Sequence, residues 1–171
     1  MEEEKTIFDE VVLDTYDATD RPFDFVEEGV GTALICESDE GIREQIGSAL
    51  KAANYVVTEP STAKEAVKNM RFHVYDVVVV NDRFDESGTE ANAVLDYLEN
   101  LPMSTRRQIF VALVTDKHRT LDNMAAFNMS VNVTINVKNL DDVDKIIAQS
   151  RADNSAFYHI FNETLKKTGR I

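Results

Sequence analysis

Polar residues that could do chemistry together stand at the ends of three apolar runs. They are Glu37, Ser38 and Asp39 after the first run, Asn81 and Asp82 after the second, and Thr115 after the third. A carboxylate in such a place can act as a nucleophile or as a ligand for a hard cation such as Mg²⁺. Asn81 departs from this chemistry, because an amide serves poorly as either.

The run before Asn81 consists of four valines, residues 77–80. Four β-branched residues bounded by polar ones predict a strand buried on both faces, which is typical of a parallel sheet. In open parallel sheets, ligands bind beyond the carboxyl ends of the strands. Asn81 is therefore predicted to stand where such a sheet usually carries its chemistry.

Strand-like runs alternate with segments of helical periodicity from Gly31 onward. The predicted strands cover residues 32–36, 55–58, 76–81, 109–114 and 131–137. The predicted helices cover residues 41–54, residues from 62 onward, 90–100, 119–128 and residues from 141 onward, with a capping box at Thr62 and Glu65. This alternation predicts an α/β fold: a doubly wound, flavodoxin-like sheet of five parallel strands with helices on both faces.

Two further segments flank this predicted domain, which covers residues 31–150. Residues 1–30 form an acidic N-terminal arm, in which residues 1–28 hold eleven acidic and two basic side chains, a net charge of −9. Residues 151–171 are predicted to be an extra C-terminal helix that follows a polar interruption at residues 150–155, with Asp153 or Asn154 as its cap.

The C-terminal segment has an apolar stripe at helical spacing, made of Ala156, Phe157, Ile160, Phe161 and Leu165. Such a stripe must be buried against another surface. We expect it to pack on the Phe23 and Phe25 segment of its own chain, with a partner protein as the alternative.

Six features in order resemble the receiver domain of response regulators, the CheY-like family of two-component signalling, over residues 31–150. They are the first strand with its acidic loop at residues 32–39, the first helix from Ile42, the opening of the second helix at residues 61–66, the third strand ending at Asn81, the hydroxyl of Thr115, and the nearby Lys138.

The resemblance implies a phosphoryl group passing from a histidine kinase to an aspartate, with Mg²⁺ held by an acidic pair and that aspartate. A hydroxyl and a lysine then contact the acyl phosphate, and a surface is repositioned. In this chain the acidic pair falls on Glu37 and Ser38, followed by Asp39, and the phosphoacceptor falls on Asn81. Thr115 is intact.

These departures predict a degenerate pocket and a non-catalytic pseudo-receiver rather than an enzyme. We expect no cofactor, and only weak Mg²⁺ binding by Glu37 and Asp39. One alternative is an active receiver phosphorylated at Asp82 or Asp39, although strand alternation should point Asp82 away from the pocket that Asn81 faces. Another is a flavodoxin-like domain that binds a small molecule near Glu37, Asn81 and Thr115.

The expected partner is a protein. The net charge of −13 argues against nucleic acid and against an anionic membrane surface. The absence of a signal-like or membrane-spanning run and the single cysteine, Cys36, predict a cytoplasmic protein. The face that the resemblance favours for contact, or for a homodimer, comprises the fourth helix, fifth strand and fifth helix (residues 121–129, 131–137 and 141–150). The C-terminal helix is the second candidate surface.

Overall fold

The computed structural model describes residues 29–85 and 92–170. The acidic arm with Phe23 and Phe25, and the predicted start of the third helix at Glu90, lie outside the described residues. The divisions of the chain at residues 30 and 150 stay predictions.

Five parallel strands form one sheet in the order β2-β1-β3-β4-β5. Their bounds are β1 Gly31–Cys36, β2 Tyr55–Thr58, β3 Val77–Asn81, β4 Phe110–Thr115 and β5 Val133–Asn136. The predicted fold class is confirmed.

Six helices connect or follow the strands in the described parts of the chain. They are α1 Glu40–Ala52, α2 Ala63–Phe72, α3 Ala93–Glu99, α4 Asn123–Asn128, α5 Val143–Phe157 and α6 His159–Lys167. A single helical turn, Met103–Arg106, precedes β4, and a 3₁₀ helix, Val137–Asp142, follows β5. None of the helices in residues 29–85 and 92–170 is long and apolar enough to cross a bilayer.

Side-chain caps fix where the first four helices begin. The oxygens of Asp39, Thr62, Asn92 and Asp122 each accept from an N–H in the first turn of α1, α2, α3 and α4 respectively. The capping box of α2 forms as predicted, with the Glu65 carboxylate accepting from a backbone N–H just before the helix.

Two predicted helix boundaries are wrong. The fourth helix begins at residue 123 rather than 119, because Leu121 takes the left-handed conformation (φ 59°) and Asp122 then caps the helix. The predicted interruption at residues 150–155 does not occur, since α5 runs through it to Phe157. The break falls at Tyr158, so Asp153 and Asn154 lie inside a helix and cap nothing.

The core is divided by the sheet into two layers. Helices α1 and α5 cover one face, and the residues of β1 and β3 that point there include Ile35 and Val79. Helices α2, α3 and α4 cover the other face, where Cys36 and Val80 point. Cys36 is fully buried, and this burial raises the pKa of its thiol. The alternation of strand side chains between these layers also decides how the site is built.

The amino edge of the sheet is held by a half-buried arginine. Arg106 donates to the backbone carbonyls of Ile109 at 2.8 Å and Ser130 at 2.7 Å, and its guanidinium also contacts the amide oxygen of Asn132 at 3.3 Å. Burial lowers the pKa of Arg106. These bonds join the segments that lead into β4 and β5.

A second polar cluster stands where β1 begins. The backbone N–H of Thr32 donates to the Asp76 carboxylate at 2.7 Å, and the Thr32 hydroxyl lies 2.9 Å from Nε2 of His73. Burial lowers the pKa of His73 below its ordinary value, with the charge of Asp76 acting in the opposite direction. The cluster ties β1 to the segment before β3.

Candidate functional site

The strand register sorts the predicted site residues into two groups at the carboxyl edge. Cys36 pairs with Val80, so the next residues, Glu37 and Asn81, point to the layer of α1 and α5. Asn81 in turn pairs with Val114, which means that Asp82 and Thr115 point to the opposite layer. The six predicted residues at the three strand ends therefore do not converge on one point.

The first group is a contact between a buried carboxylate and an amide. Asn81 donates through Nδ2 to Oε2 of Glu37 at 2.5 Å, and the backbone N–H of Asp39 donates to Oε1 at 2.9 Å. The backbone N–H of Arg83 donates to Oδ1 of Asn81 at 2.9 Å. This bond orients the amide so that its nitrogen faces Glu37. Both oxygens of the Glu37 carboxylate are thus engaged.

The second group combines a carboxylate, a hydroxyl and an ammonium. Thr115 donates through its hydroxyl to Oδ2 of Asp82 at 2.9 Å, and the Lys117 ammonium lies 3.0 Å from the same oxygen. The backbone N–H of Lys117 also donates to the Thr115 hydroxyl at 3.0 Å. The Asp82 side chain is 10% exposed and that of Lys117 is 58% exposed, so the carboxylate is largely shielded from water and the ammonium is not. Asp82 thus points away from the layer that Asn81 faces, and it bonds there to Thr115.

Ser38 and Asp39 lie in the exposed loop after β1. The Asp39 carboxylate accepts from the N–H of Ile42 at 3.0 Å and caps α1. The Ser38 hydroxyl accepts a long bond of 3.5 Å from the N–H of Asp85. Both residues therefore have roles in local structure.

Lys138 lies apart from both groups. It is exposed within the 3₁₀ helix, and none of the ion pairs formed among residues 29–85 and 92–170 involves its ammonium. The residue that ends β5 beside Thr115 is Asn136, whose side chain donates to the carbonyl of His118 at 2.7 Å. The ammonium that shares the Asp82 carboxylate with the Thr115 hydroxyl is that of Lys117.

Solved structures of several receiver domains resemble this arrangement of strands and helices. A response regulator from Chloroflexus aurantiacus has 16% identity and a TM-score of 0.59, covering 72% of this chain and 98% of its own. A CheY-like receiver domain protein from Methanospirillum hungatei has 17% identity and a TM-score of 0.58, covering 75% of this chain and 98% of its own. The chain has the receiver fold.

A chemotaxis response regulator of Vibrio cholerae gives a similar result, with 12% identity, a TM-score of 0.56, and coverage of 71% of this chain and 98% of its own. No protein-family model and no curated sequence matches the chain. At such identities the similarity concerns the receiver fold alone. The chemistry of the site depends on the residues that this chain has there.

The residues at the carboxyl edge of this receiver fold do not suit Mg²⁺. A magnesium site needs several oxygen ligands that converge in near-octahedral geometry. Here both Glu37 oxygens accept hydrogen bonds, and Asp39 caps a helix. Within residues 29–85 and 92–170, no three acidic, histidine or cysteine side chains cluster as metal ligands would.

A groove of about 340 Å³ opens between α3 and α4 on the Asp82 side of the sheet. Its wall includes Leu95 and Met129 as well as Asp82 and Lys117. The small-molecule alternative placed its pocket near Glu37, Asn81 and Thr115, whereas this groove belongs to the layer that Glu37 and Asn81 do not face.

Lys117 is the functional candidate that the sequence analysis missed. Part of the signal lies in the sequence, because side chains alternate along β3 and β4. Strand alternation places Asp82 beside Thr115 only once the register between the two strands is known. A lysine two residues beyond Thr115 can then reach the same carboxylate. The register between two parallel strands is not encoded in either strand alone, so this signal needed the structure.

Proposed function

We propose that this chain is a non-catalytic signalling module of the receiver type, which acts by binding protein in a two-component-like pathway in the cytoplasm. The receiver fold supports the signalling role. The observation that carries the rest of the proposal is the hydrogen bond from Asn81 to the buried Glu37. A neutral amide has no anionic oxygen to attack a phosphoryl group, and its nitrogen is held by a carboxylate that would otherwise be a metal ligand.

The surface of α4 supports the protein-binding part of this proposal. Leu121, just before α4, and Met124 and Phe127 within it are exposed by 57%, 68% and 79%. Large apolar side chains that are exposed together near one helix are a frequent mark of protein interfaces. Because they belong to the face of α4, β5 and α5, we propose this face as the contact surface, with a homodimer as its simplest product.

Phosphorylation chemistry tests the proposal directly. The full chain is incubated with Mg²⁺ and either acetyl phosphate or beryllofluoride, and then examined by intact mass and by amide NMR spectra. A receiver domain that retains the acceptor aspartate serves as the positive control for the reagents. We expect no adduct and no change in the spectra. A stoichiometric phosphoryl adduct would overturn the non-catalytic assignment.

The contact surface is tested by sedimentation over a range of protein concentrations. The double variant Met124→Ser/Phe127→Ser should lose self-association, because it removes the exposed apolar groups of α4. The matched control, Phe157→Ser/Ile160→Ser, changes equally exposed apolar groups on the C-terminal helices and should associate like the parent. If only the control variant loses association, the C-terminal helix is the interface instead.

A second candidate function rests on the contacts of Asp82. Its carboxylate has the hydroxyl of Thr115 and the ammonium of Lys117 at hydrogen-bonding distance, which is the combination that receiver chemistry uses around an acyl phosphate. The chain would then be an active receiver whose acceptor has moved by one residue. Asp39, the other acid considered, is occupied as a helix cap.

Mass spectrometry separates the two functions by locating any phosphoryl group. The second candidate predicts an adduct on Asp82 that disappears in Asp82→Asn and persists in Asp39→Asn, which is the matched control. An adduct that survives both substitutions together would exclude this candidate.

A further inference from the structure

The C-terminal helices present an apolar surface to water. Phe157 at the end of α5 and Ile160 in α6 are exposed by 80% and 74%, and Phe161 is also exposed. The first half of α5 is different, because Val143 and Ile147 are buried in the core. An amphipathic helix as short as α6 gains most of its stability from packing of its apolar side. Among residues 29–85 and 92–170, therefore, nothing supplies the covering that the composition of this surface calls for.

The uncovered surface lies at the amino edge of the sheet. Asn132, just before β5, donates to Asn154 of α5 at 3.2 Å, and the guanidinium of Arg107 lies 4.7 Å from the ring of Phe161. Arg151 lies over the ring of Tyr55, 5.5 Å from its centroid. These contacts extend along the amino edge from the start of β2 to the start of β5. Glu37 and Asp82 lie at the other end of the strands, at the carboxyl edge.

Gly29 and Val30, the last residues of the acidic arm, lead into β1 at this same edge. Gly31 pairs with Tyr55, whose ring lies so close that a Cβ at Gly31 would come within 2.5 Å of it and the ring would have to shift. A groove of about 470 Å³ beside this point is lined by Gly29 and Arg151. The last residues of the arm, Gly29 and Val30, therefore lie next to the C-terminal half of α5.

The distances allow the arm to reach the apolar surface. Neighbouring strands are about 4.8 Å apart, so the starts of β1 and β4, separated only by β3, are about 10 Å apart. An extended chain spans about 3.3 Å per residue, which gives about 13 Å for the four steps along the chain from Phe25 to Gly29. Phe25 and Phe23 are thus within reach of the surface around Phe161.

The charges of the two segments are opposite in sign. The arm carries a net charge of −9. Residues 151–170 carry four basic and two acidic side chains, and Arg107 adds a further cation over Phe161. A tethered segment also has an effective concentration in the millimolar range, which an independent partner rarely matches.

We propose that the acidic arm folds back over the C-terminal helices and places Phe23 and Phe25 on the surface formed by Phe157, Ile160 and Phe161. The contact joins the two ends of the described domain at the amino edge of the sheet. Its occupant is this chain's own segment, and a second copy of the chain is the competing occupant in the test.

A single tryptophan at position 157 reports on this contact. The chain contains no tryptophan, so Phe157→Trp in the full chain gives one signal at a position whose side chain is exposed in the described structure. Acrylamide quenching is measured in this variant, in the same variant with Phe23→Ser/Phe25→Ser, and in a matched control with Met124→Ser/Phe127→Ser on α4. A dilution series is included for each protein.

In the Phe157→Trp variant we expect the tryptophan to be shielded from acrylamide. Quenching should rise several-fold when Phe23→Ser/Phe25→Ser is added, and the α4 control should be quenched like the Phe157→Trp variant at every concentration. The proposal would be overturned if the tryptophan of the Phe157→Trp variant were freely quenched, or if its shielding were unchanged by the Phe23 and Phe25 substitutions. Shielding lost on dilution would identify a second copy as the occupant and would also overturn it. Hydrogen exchange of residues 157–167 is also compared in the tryptophan-free chain with and without the arm substitutions. The substitutions must make exchange faster there, as they make quenching stronger.

Discussion

The two edges of the sheet use polar side chains in different ways. At the carboxyl edge, the bonds from Asn81 to Glu37 and from Thr115 to Asp82 join side chains on neighbouring strands, beside other bonds to the backbone. Such bonds depend on the rotamers of both partners and on the charge of the carboxylate. A change of charge at this edge can therefore rearrange it without unfolding the strands.

At the amino edge, side chains bond mainly to the backbone. Arg106 donates to two carbonyls, and Asp76 accepts from the N–H of Thr32. A backbone group cannot turn away from its partner as a side chain can, so these bonds fix the strands themselves. The comparison indicates that the amino edge is a framework and the carboxyl edge is the adjustable part of the molecule.

Removing Arg106 should have the largest effect on the framework. Arg106→Ala leaves buried carbonyls without their charged donor, and we expect a loss of about 2–3 kcal/mol in the free energy of unfolding. Arg107→Ala is the matched control, because that exposed residue only stacks on Phe161 and should cost less than about 1 kcal/mol. Urea unfolding of both variants checks this. Equal losses would show that Arg106 is not a framework residue.

At the carboxyl edge, Asn81→Asp should be the most disruptive single change. It places a carboxylate against the Glu37 carboxylate, and like charges at this distance should destabilise the fold by roughly 2 kcal/mol at neutral pH. The pKa of one acid in the folded variant would be raised above its unfolded value. The lost stability should therefore return as the pH falls toward the unfolded value.

Urea unfolding of Asn81→Asp at two pH values measures this effect. The double variant Asn81→Asp/Glu37→Gln is the control, since an amide then faces a carboxylate again and most of the stability should be recovered. If the single variant is as stable as the parent at the higher pH, the contact between Asn81 and Glu37 does not contribute to stability.

A smaller effect should come from the titration of His73 at the amino edge. Burial lowers the pKa of His73 in the folded state below the ordinary value of 6.5, so protons bind more readily to the unfolded chain. Stability should fall as the pH drops below that value. In His73→Gln this part of the pH dependence should vanish, whereas the exposed His159→Gln should retain it. Thermal unfolding across the interval checks the difference, and identical slopes in both variants would contradict the assignment.

Much of the framework could be predicted from the sequence, because its signals are local. The valine run before Asn81 predicts a strand and the capping box at Thr62 predicts a helix start, each from a few adjacent residues. Both features are present in the structure. The start of α4 could not be predicted, since periodicity alone does not reveal the left-handed conformation of Leu121. The continuation of α5 through a polar stretch depends on packing of the helix as a whole.

The site was harder to predict than the fold. The residue types at the three strand ends were evident, but their grouping follows from the register between β3 and β4, which involves two distant segments. The resemblance brought Thr115 and Lys138 to one pocket with Asn81. The structure instead pairs Thr115 with Asp82 and leaves Lys138 in an exposed turn.

The buried position of Cys36 has a practical consequence for measuring this molecule. Its thiol lies at the end of β1, in the core layer beneath α2, α3 and α4, where burial raises its pKa, so it is both neutral and shielded in the native state. Because it is the only cysteine in the chain, a thiol reagent can label the protein only in molecules in which this layer has opened. The labelling rate thus reports how often this core layer opens, and it does so in the unmodified chain.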